Sequence, residues 1–304
     1  MKAAIDVGSN ATRLLIADPD GVEVLRRSLI TRLIEGHRPG QPLGAGGLER
    51  TAGALSSYQT LIAQHGATLV RAVSTAPARR ASTGDELSAL VSGILGAELE
   101  ILTAEEEARL TFAGVRAGLP GQPGRQLVVD IGGGSTEIIV GTEQPEASVS
   151  LDLGSATLTE AQLPSDPPRP VELSNAIAIV QEEIDDAIRA LPDVERVDGM
   201  IGAGGTVATI AAVEIGLPSD PADDVSDPAL HGFHLTRPAA EDVFRTLAGE
   251  SLQARIHNPG LPRDRAPTIV GGCCVLVGLL RRLATSGLTV SMTDLLDGLV
   301  RDGA

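Results

Sequence analysis

Apolar positions fall into short segments with two different periods. Residues 3 to 6 and 12 to 17 are apolar runs of strand length on either side of the turn signal Gly8-Ser9-Asn10, and a third strand is predicted near 22 to 28, after Pro19-Asp20-Gly21. Helical spacing then appears over Leu48 to Ala63, followed by a buried strand over 68 to 73, a helix over Asp85 to Leu95 and a strand over 98 to 102. Thr103 precedes Glu106 by three residues, the spacing of a capping box, and opens a helix predicted to run to about Gly118. The next segment, Leu119-Pro120-Gly121-Gln122-Pro123-Gly124, reads as a linker.

Beyond the linker the pattern starts again. Strands are predicted over 126 to 130, 136 to 140 and 148 to 152, with a Gly-rich turn between the first two. The strings DVGSN from Asp6 and DIGGG from Asp130 each lie between two apolar strands, which predicts two related halves, residues 1–119 and 120–304. A Pro-rich stretch from Pro164 to Pro170 leads into a long helix over Val171 to Leu191. A strand at 197 to 201 runs into Gly202-Ala203-Gly204-Gly205-Thr206 and another helix. Residues 216 to 230 form an acidic, Pro-containing loop, and helices near 238 to 249 and 268 to 286 precede a short terminal helix.

A length of 304 residues agrees with two domains at roughly 150 residues each. Lys and Arg number 24 against 40 Asp and Glu, a net charge of −16, which disfavours nucleic-acid and membrane-surface partners. The excess is uneven: residues 1 to 120 are near neutral, and the acidic surplus lies beyond them. Four aromatics, Tyr58, Phe112, Phe233 and Phe244, supply few stacking platforms for bases. The N-terminus lacks a charged segment leading into an apolar stretch, and no run of about 18 uncharged apolar residues occurs, so the cytoplasm is the expected location. Cys273 and Cys274, adjacent in IVGGCCVLVGLL, read as buried helix residues and make neither a disulfide framework nor a tetrahedral metal site.

The candidate chemistry lies in the three Gly turns. A Gly-rich turn beside a strand lets backbone N–H groups approach an anion, and the hydroxyls of Ser9, Ser135 and Thr206 add donors. Asp6 and Asp130 would repel a bare phosphate, yet they suit a hard cation such as Mg²⁺. A single Asp-x-Gly is usually an ordinary turn. Two copies in a repeated strand pattern, with a third Gly turn, point to phosphate and metal.

DVGSNATRLLI at 6 to 16, VVDIGGGSTEIIV at 128 to 140 and GAGGT at 202 to 206 resemble the phosphate motifs of the actin, sugar kinase and heat-shock ATPase superfamily. Within it, TAPAR from Thr75 to Arg79, AEEEARLTFAGV from Ala104 to Val115, DIGGGSTE with its Glu137, and GLPRDRA at 260 to 266 resemble the exopolyphosphatase and guanosine pentaphosphate phosphohydrolase family. The resemblance implies an α/β fold of two actin-like (ribonuclease H-like) domains with an interdomain cleft. The implied activity is Mg²⁺-dependent release of orthophosphate from the end of inorganic polyphosphate. Alternatives are conversion of pppGpp (guanosine pentaphosphate) to ppGpp, a kinase of the same superfamily, or a non-catalytic phosphate-compound sensor. A homodimer is also implied. Relatives with additional C-terminal helical domains make this chain a short form, for which shorter polyphosphates are the expected preference.

Residue by residue, the resemblance makes Glu107 the general base and places Arg79 at substrate phosphate. It assigns phosphate binding to Gly8, Ser9, Asn10, Gly132, Gly133, Gly134, Ser135, Gly204, Gly205 and Thr206, and metal binding to Asp6, Asp130 and Glu137. Without it, Glu105-Glu106-Glu107 reads as an acidic helix start favoured by the macrodipole. Arg13 and Arg80 read as surface ion-pair residues, and His231 and His234, with no third ligand apparent, as turn or packing residues. Three departures bear on substrate range: Ile34 where relatives usually have Gly, Thr157 where many have Arg, and Pro267 in place of an Asp.

Overall fold

A computed structural model describes residues 1–36, 40–75, 84–191, 193–194, 196–218 and 227–302. The chain forms two compact units, Met1–Gly114 with Leu295–Ala304, and Val115–Asp294.

In the first unit, β1 (Lys2–Val7), β2 (Ala11–Ala17) and β3 (Glu23–Ile30) make an antiparallel meander. On the other side of β1, β4 (Thr68–Ser74) and β5 (Leu99–Ile101) add in parallel, giving the order β3-β2-β1-β4-β5. Alternate residues of a strand point to opposite faces, and both faces of this sheet are covered, which is why its central strands read as continuous apolar runs. Ala3, Ile5, Leu14 and Ile16 join one core with Leu55 and Tyr58 of α1 (Ala45–Gln64) and Leu87 and Val91 of α2 (Gly84–Leu95). Ala4, Leu15 and Val73 join another with Leu110 of α3 (Ala104–Gly118).

The second unit repeats this plan. The meander β6 (Gln126–Ile131), β7 (Thr136–Gly141) and β8 (Pro145–Leu151) is followed by the parallel strands β9 (Gly199–Ala203) and β11 (Gly287–Val290). The antiparallel β10 (His234–Thr236) closes the edge in the order β10-β11-β9-β6-β7-β8. Its helices are α4 (Ser155–Gln162), α5 (Pro170–Ala190), α6 (Gly204–Glu214), α7 (Arg237–Gly249), the single turn α8 (Leu252–Arg255) and α9 (Ile269–Arg282). Helix α9 is buried from Ile269 to Leu280 because α4, α5, α6 and α7 all pack on it. Burial raises the Cys273 thiol well above its ordinary range and pushes Cys274 up to about 12, so both stay protonated thiols packed as small apolar groups. No helix among the described residues is long and apolar enough to cross a membrane.

Three features differ from the expectation. The helix expected over 268 to 286 stops at Arg282, and the strand β11 follows within a few residues. The short elements α4 and β10 were not anticipated. The units part at Gly114 and Val115 instead of residues 119 and 120, and the terminal helix α10 (Leu295–Asp302) belongs to the first unit. The reason is burial. Leu295, Leu296, Leu299 and Val300 complete the core beneath β1, β2 and β4. Arg26 also donates to Asp297 at 2.8 Å, and Arg71 and Arg109 both donate to Asp302.

Helices α3 and α10 meet backbone to backbone, since a Cβ on Gly298 would overlap the Leu110 carbonyl oxygen. Gly→Ala inside a helix ordinarily gains roughly 0.5–1 kcal/mol, whereas overpacking a filled site costs about 1–3 kcal/mol. Gly298→Ala is therefore expected to lower the thermal unfolding midpoint, and an unchanged or raised midpoint would contradict this packing.

A second prediction concerns α5. The Arg169 backbone N–H, donating to Glu172 Oε2 at 2.9 Å, is the largest influence on that carboxyl, with the Ser165 hydroxyl and the Arg169 side chain adding to it. Together they outweigh desolvation and hold it at about 2. A depressed folded pKa stabilises above the unfolded carboxylate range, and the contribution disappears as pH falls toward 2. Urea midpoints of Glu172→Gln should accordingly decline less than those of the parent between pH 5 and pH 3.

Candidate functional site

In the first unit, the turn from β1 to β2 is closed by the Gly8 N–H donating to the Ala11 carbonyl at 3.0 Å. The Ser9 carbonyl accepts from the Ile34 N–H, and the Asn10 carbonyl accepts from both Thr31 and Arg32. In a trans peptide the N–H points opposite to the C=O, so the amides of Asn10 and Ala11 face away from residues 31–34. Asn10 Oδ1 is buried and has no hydrogen bond in the structure, which marks this loop as a place where a ligand's donor would be accepted.

Asp6 is only 4% exposed. Arg13 stands opposite it in the β1–β2 register and donates to Asp6 Oδ2 from Nε at 3.0 Å and from Nη2 at 2.7 Å. The expected surface ion pair of Arg13 is thus formed inside the candidate site, on one of the carboxylates assigned to metal. A guanidinium aimed at a buried carboxylate has left the surface because a buried charge must be paired.

Glu107 lies in the first turn of α3. The capping box that opens this helix is complete: the Thr103 N–H donates to Glu106 Oε2 at 2.9 Å, and the Glu106 N–H donates to Thr103 Oγ1 at 3.2 Å. The Thr103 N–H and hydroxyl hold the Glu106 carboxyl below its usual range. Glu105 and Glu106 are exposed, but Glu107 is 6% exposed. A merely solvated acidic helix start would leave all three in water, so burial sets Glu107 apart. Arg79 and Arg80 lie outside the described residues.

In the second unit, the Gly132 N–H donates to the Ser135 carbonyl at 3.0 Å, the counterpart of Gly8 and Ala11. The carbonyls of Gly132 and Gly133 accept from the first amides of α4, those of Ser155, Ala156 and Thr157. By the same trans-peptide geometry, the amides of Gly133 and Gly134 face away from α4. Thr157, where many relatives have Arg, caps α4 by accepting from the Gly154 N–H at 2.9 Å. The other departures are also structural: Ile34 packs against the first core, and Pro267 lines a small cavity beside Arg255 and Val270.

Asp130 and Glu137 face each other in the β6–β7 register, at 8% and 4% exposure, and Ser150 Oγ donates to Glu137 Oε1 at 3.0 Å. Directly opposed residues have Cβ atoms about 4.5–5.5 Å apart, so two buried carboxylates there repel unless a cation or proton lies between them. Their oxygens are hard donors of the kind Mg²⁺ takes. Among the described residues no group of three or more His, Cys, Asp or Glu side chains is placed to hold a metal. Two carboxylates supplemented by water and substrate oxygens match the way Mg²⁺ is held at phosphate sites.

The third turn leans on the second. Gly204 has φ +83°, and a Cβ there would overlap Asp130 Oδ1, so only glycine fits both the backbone and the carboxylate. A Cβ on Gly205 would overlap the Arg265 guanidinium, which places that cation against the turn. Thr206 is buried in the first turn of α6. Arg265 was missed as a site residue: its string GLPRDRA carried a resemblance but no local pattern that distinguishes it from its neighbour Arg263. His231 donates from Nε2 to the Gly118 carbonyl at 2.9 Å, while its Nδ1 accepts from the Met292 N–H at 3.1 Å. Both nitrogens are therefore occupied by packing contacts, and His234 is exposed on β10.

The family model for the Ppx/GppA phosphatase family matches residues 16–303. Exopolyphosphatase 2 of Mycobacterium tuberculosis strain H37Rv is 35% identical over 316 aligned residues, covering 98% of this chain and 96% of the relative. The crystal structure of an exopolyphosphatase-like protein superposes with a TM-score of 0.89 at 30% identity, covering 99% of this chain and 97% of that one. The Aquifex aeolicus member of the Ppx/GppA family gives 0.77 at 31% identity, covering 99% and 96%. With the doubled meander, the two Asp-headed turns and the Gly204–Gly205 turn all present, this chain belongs to the Ppx/GppA phosphatase family.

Proposed function

We propose that this protein is an exopolyphosphatase, a hydrolase that releases orthophosphate from the end of inorganic polyphosphate with Mg²⁺ as cofactor. The observation that carries the reading is identity of 35% along nearly the whole chain to a relative named exopolyphosphatase. The buried carboxylate of Glu107, with two exposed glutamates beside it, supports the assignment of a general base.

In this reading Glu107 accepts a proton from a water molecule as its oxygen attacks the terminal phosphorus. The bond from that phosphorus to the bridging oxygen breaks, and the electron pair leaves with the shortened chain. The amides of Asn10, Gly133 and Gly134, with the hydroxyls of Ser9, Ser135 and Thr206, hold phosphate oxygens, and Arg79 and Arg265 supply cations. Asp130 and Glu137 are the residues that would hold Mg²⁺, which would supply positive charge to the phosphate oxygens. Gly204 keeps the Asp130 carboxylate in place.

The reading favours polyphosphate over pppGpp because three of the four aromatic side chains are committed elsewhere, and the fourth, Phe233, is partly buried against the second core. Tyr58 and Phe112 are buried in the first unit, with the Tyr58 hydroxyl donating to the Thr12 carbonyl at 2.7 Å, and Phe244 is buried in the second. None of these three offers a face to a guanine.

The deciding assay is orthophosphate release from short polyphosphate, long polyphosphate, pppGpp and ATP, with and without Mg²⁺. Metal-dependent release that is fastest from polyphosphate is expected, and Glu107→Gln should reduce kcat by about 10²–10⁴-fold with little change in KM. Full activity in that variant would remove Glu107 from the chemistry. Faster release from pppGpp would exchange the substrate, and release from none would favour a phosphate-compound sensor. Gly204→Ala, which pushes on Asp130, should raise the Mg²⁺ concentration for half-maximal rate by about 10–100-fold; an unchanged metal requirement would separate the third turn from the metal.

A further inference from the structure

Three parallel strands of the first sheet end together. In the ladder Val7 of β1 stands beside Ser74 of β4, and Ser74 beside Ile101 of β5, so the carboxyl ends of three adjacent strands lie at one level. That end of an α/β sheet is where ligand-binding turns collect. Here β1 leads into the first Gly turn, and β5 leads through Leu102 and Thr103 into α3 with Glu107. Strand β4 lies between them, and its last residue bonds to both sides.

Ser74 is buried, and its hydroxyl donates to the Val7 carbonyl at 2.8 Å. The N–H of the same Val7–Gly8 peptide donates to the Ala11 carbonyl at 3.0 Å. Both ends of that peptide are therefore held, and its rigid plane fixes the direction in which the turn sets out. On the other side, the Ser74 carbonyl accepts from the Leu102 N–H at 3.0 Å. Leu102 is anchored in the core with Leu110 of α3, and the capping box of Thr103 and Glu106 opens the helix directly after it. Glu107 closes the first turn, its N–H donating to the Thr103 carbonyl at 3.0 Å.

We propose that Ser74 is a positioning residue that ties the first Gly turn to the start of α3, through its hydroxyl on one side and its main-chain carbonyl on the other. It keeps the phosphate-holding turn in register with the helix that carries Glu107. The inference deepens the exopolyphosphatase reading and rests on it, since there the turn binds phosphate and Glu107 takes the proton from water. The two ties are separable: a side-chain substitution removes the hydroxyl and leaves the bond to Leu102 in place. Loss of the hydroxyl then weakens phosphate binding in ground and transition states alike, without displacing the base. Uniform loss of that kind raises KM and spares kcat.

Ser74→Ala, assayed well below its unfolding midpoint, should raise KM for polyphosphate by about five- to tenfold and leave kcat within about twofold. Ser74→Thr keeps the hydroxyl and should restore KM. In amide hydrogen exchange followed by mass spectrometry, peptides spanning Val7 to Ala11 should exchange about fivefold faster in Ser74→Ala, with peptides spanning Leu102 to Leu110 unchanged. A hydroxyl that serves stability alone would lower the unfolding midpoint without this split between KM and kcat. That result would overturn the proposal, as would a fall in kcat at unchanged KM or a folded Ser74→Thr that behaves like Ser74→Ala. Should Ser74→Thr fail to fold, Ser74→Ala and the exchange measurement decide. Should Ser74→Ala fail, Ser74→Cys, close in shape and with only a weak S–H donor, takes its place with changes in the same direction. A parent that releases no orthophosphate from polyphosphate would defeat the functional reading instead, and exchange would still decide the role of Ser74, since unchanged exchange over Val7 to Ala11 overturns it.

Discussion

A carboxylate taken out of water must meet positive charge, and in this protein that requirement falls on the same place of both repeats. Asp6 and Asp130 sit at the ends of central strands, where flanking strands and helices remove solvent from both sides. Everything around them serves the pairing. In the first repeat a guanidinium arrives from the neighbouring strand. In the second, the neighbouring strand brings a further carboxylate, Glu137, opposite Asp130. A duplicated hairpin thereby sets an opposite-charge pair in one repeat and two carboxylates in the other at a single register position, with no change in backbone plan.

The backbone around the second carboxylate pair is organised for the same end. Gly132 and Gly133 spend their carbonyls on the first turn of α4, so the helix start that elsewhere would bind an anion instead orients the Gly turn. The amides on the other side of those peptides are thereby aimed without any side chain being involved. Gly204 closes against Asp130, and Arg265 lies on Gly205. Such a site is stiff because its donors are main-chain groups fixed by secondary structure, and donors fixed before substrate arrives do not have to be reorganised during the reaction.

What could be read in the amino-acid sequence follows the range of the interaction involved. The two meanders, the three Gly turns and the capping box of Thr103 and Glu106 depend on neighbours a few residues apart, and they appear where the pattern places them. The metal-compatible pairing of Asp130 with Glu137 was accessible for the same reason, since a hairpin fixes its own register. Longer-range matters were not. The apolar stripe of α10 says that the helix packs but not on which sheet, and only the fold reveals that it lies under β1 with Asp297 on Arg26. Arg13 reads as a surface residue because it lies on the strand after the first Gly turn, where many relatives differ, although hairpin register sets it opposite Asp6. Strand β11 escaped notice because only a few residues separate it from the long apolar helix α9, and apolar content alone does not distinguish the two periods.

The net charge of −16 takes on a different meaning in this setting. Several arginines that might draw a polyanion from a distance are committed to carboxylates: Arg71 and Arg109 to Asp302, Arg26 to Asp297, Arg125 to Glu146 and Arg13 to Asp6. Attraction over a Debye length of about 8 Å at physiological salt is therefore weak or repulsive, and recognition of a polyphosphate end must be won at contact. Contact is where main-chain amides and a metal ion act most strongly, because both concentrate their charge on the few oxygens of a terminal phosphate. An acidic protein that holds an anion in this way discriminates by shape and by the number of terminal oxygens, and gains little from the long charged chain behind them. Selection of chain ends over chain interiors then follows from contact with the terminal oxygens.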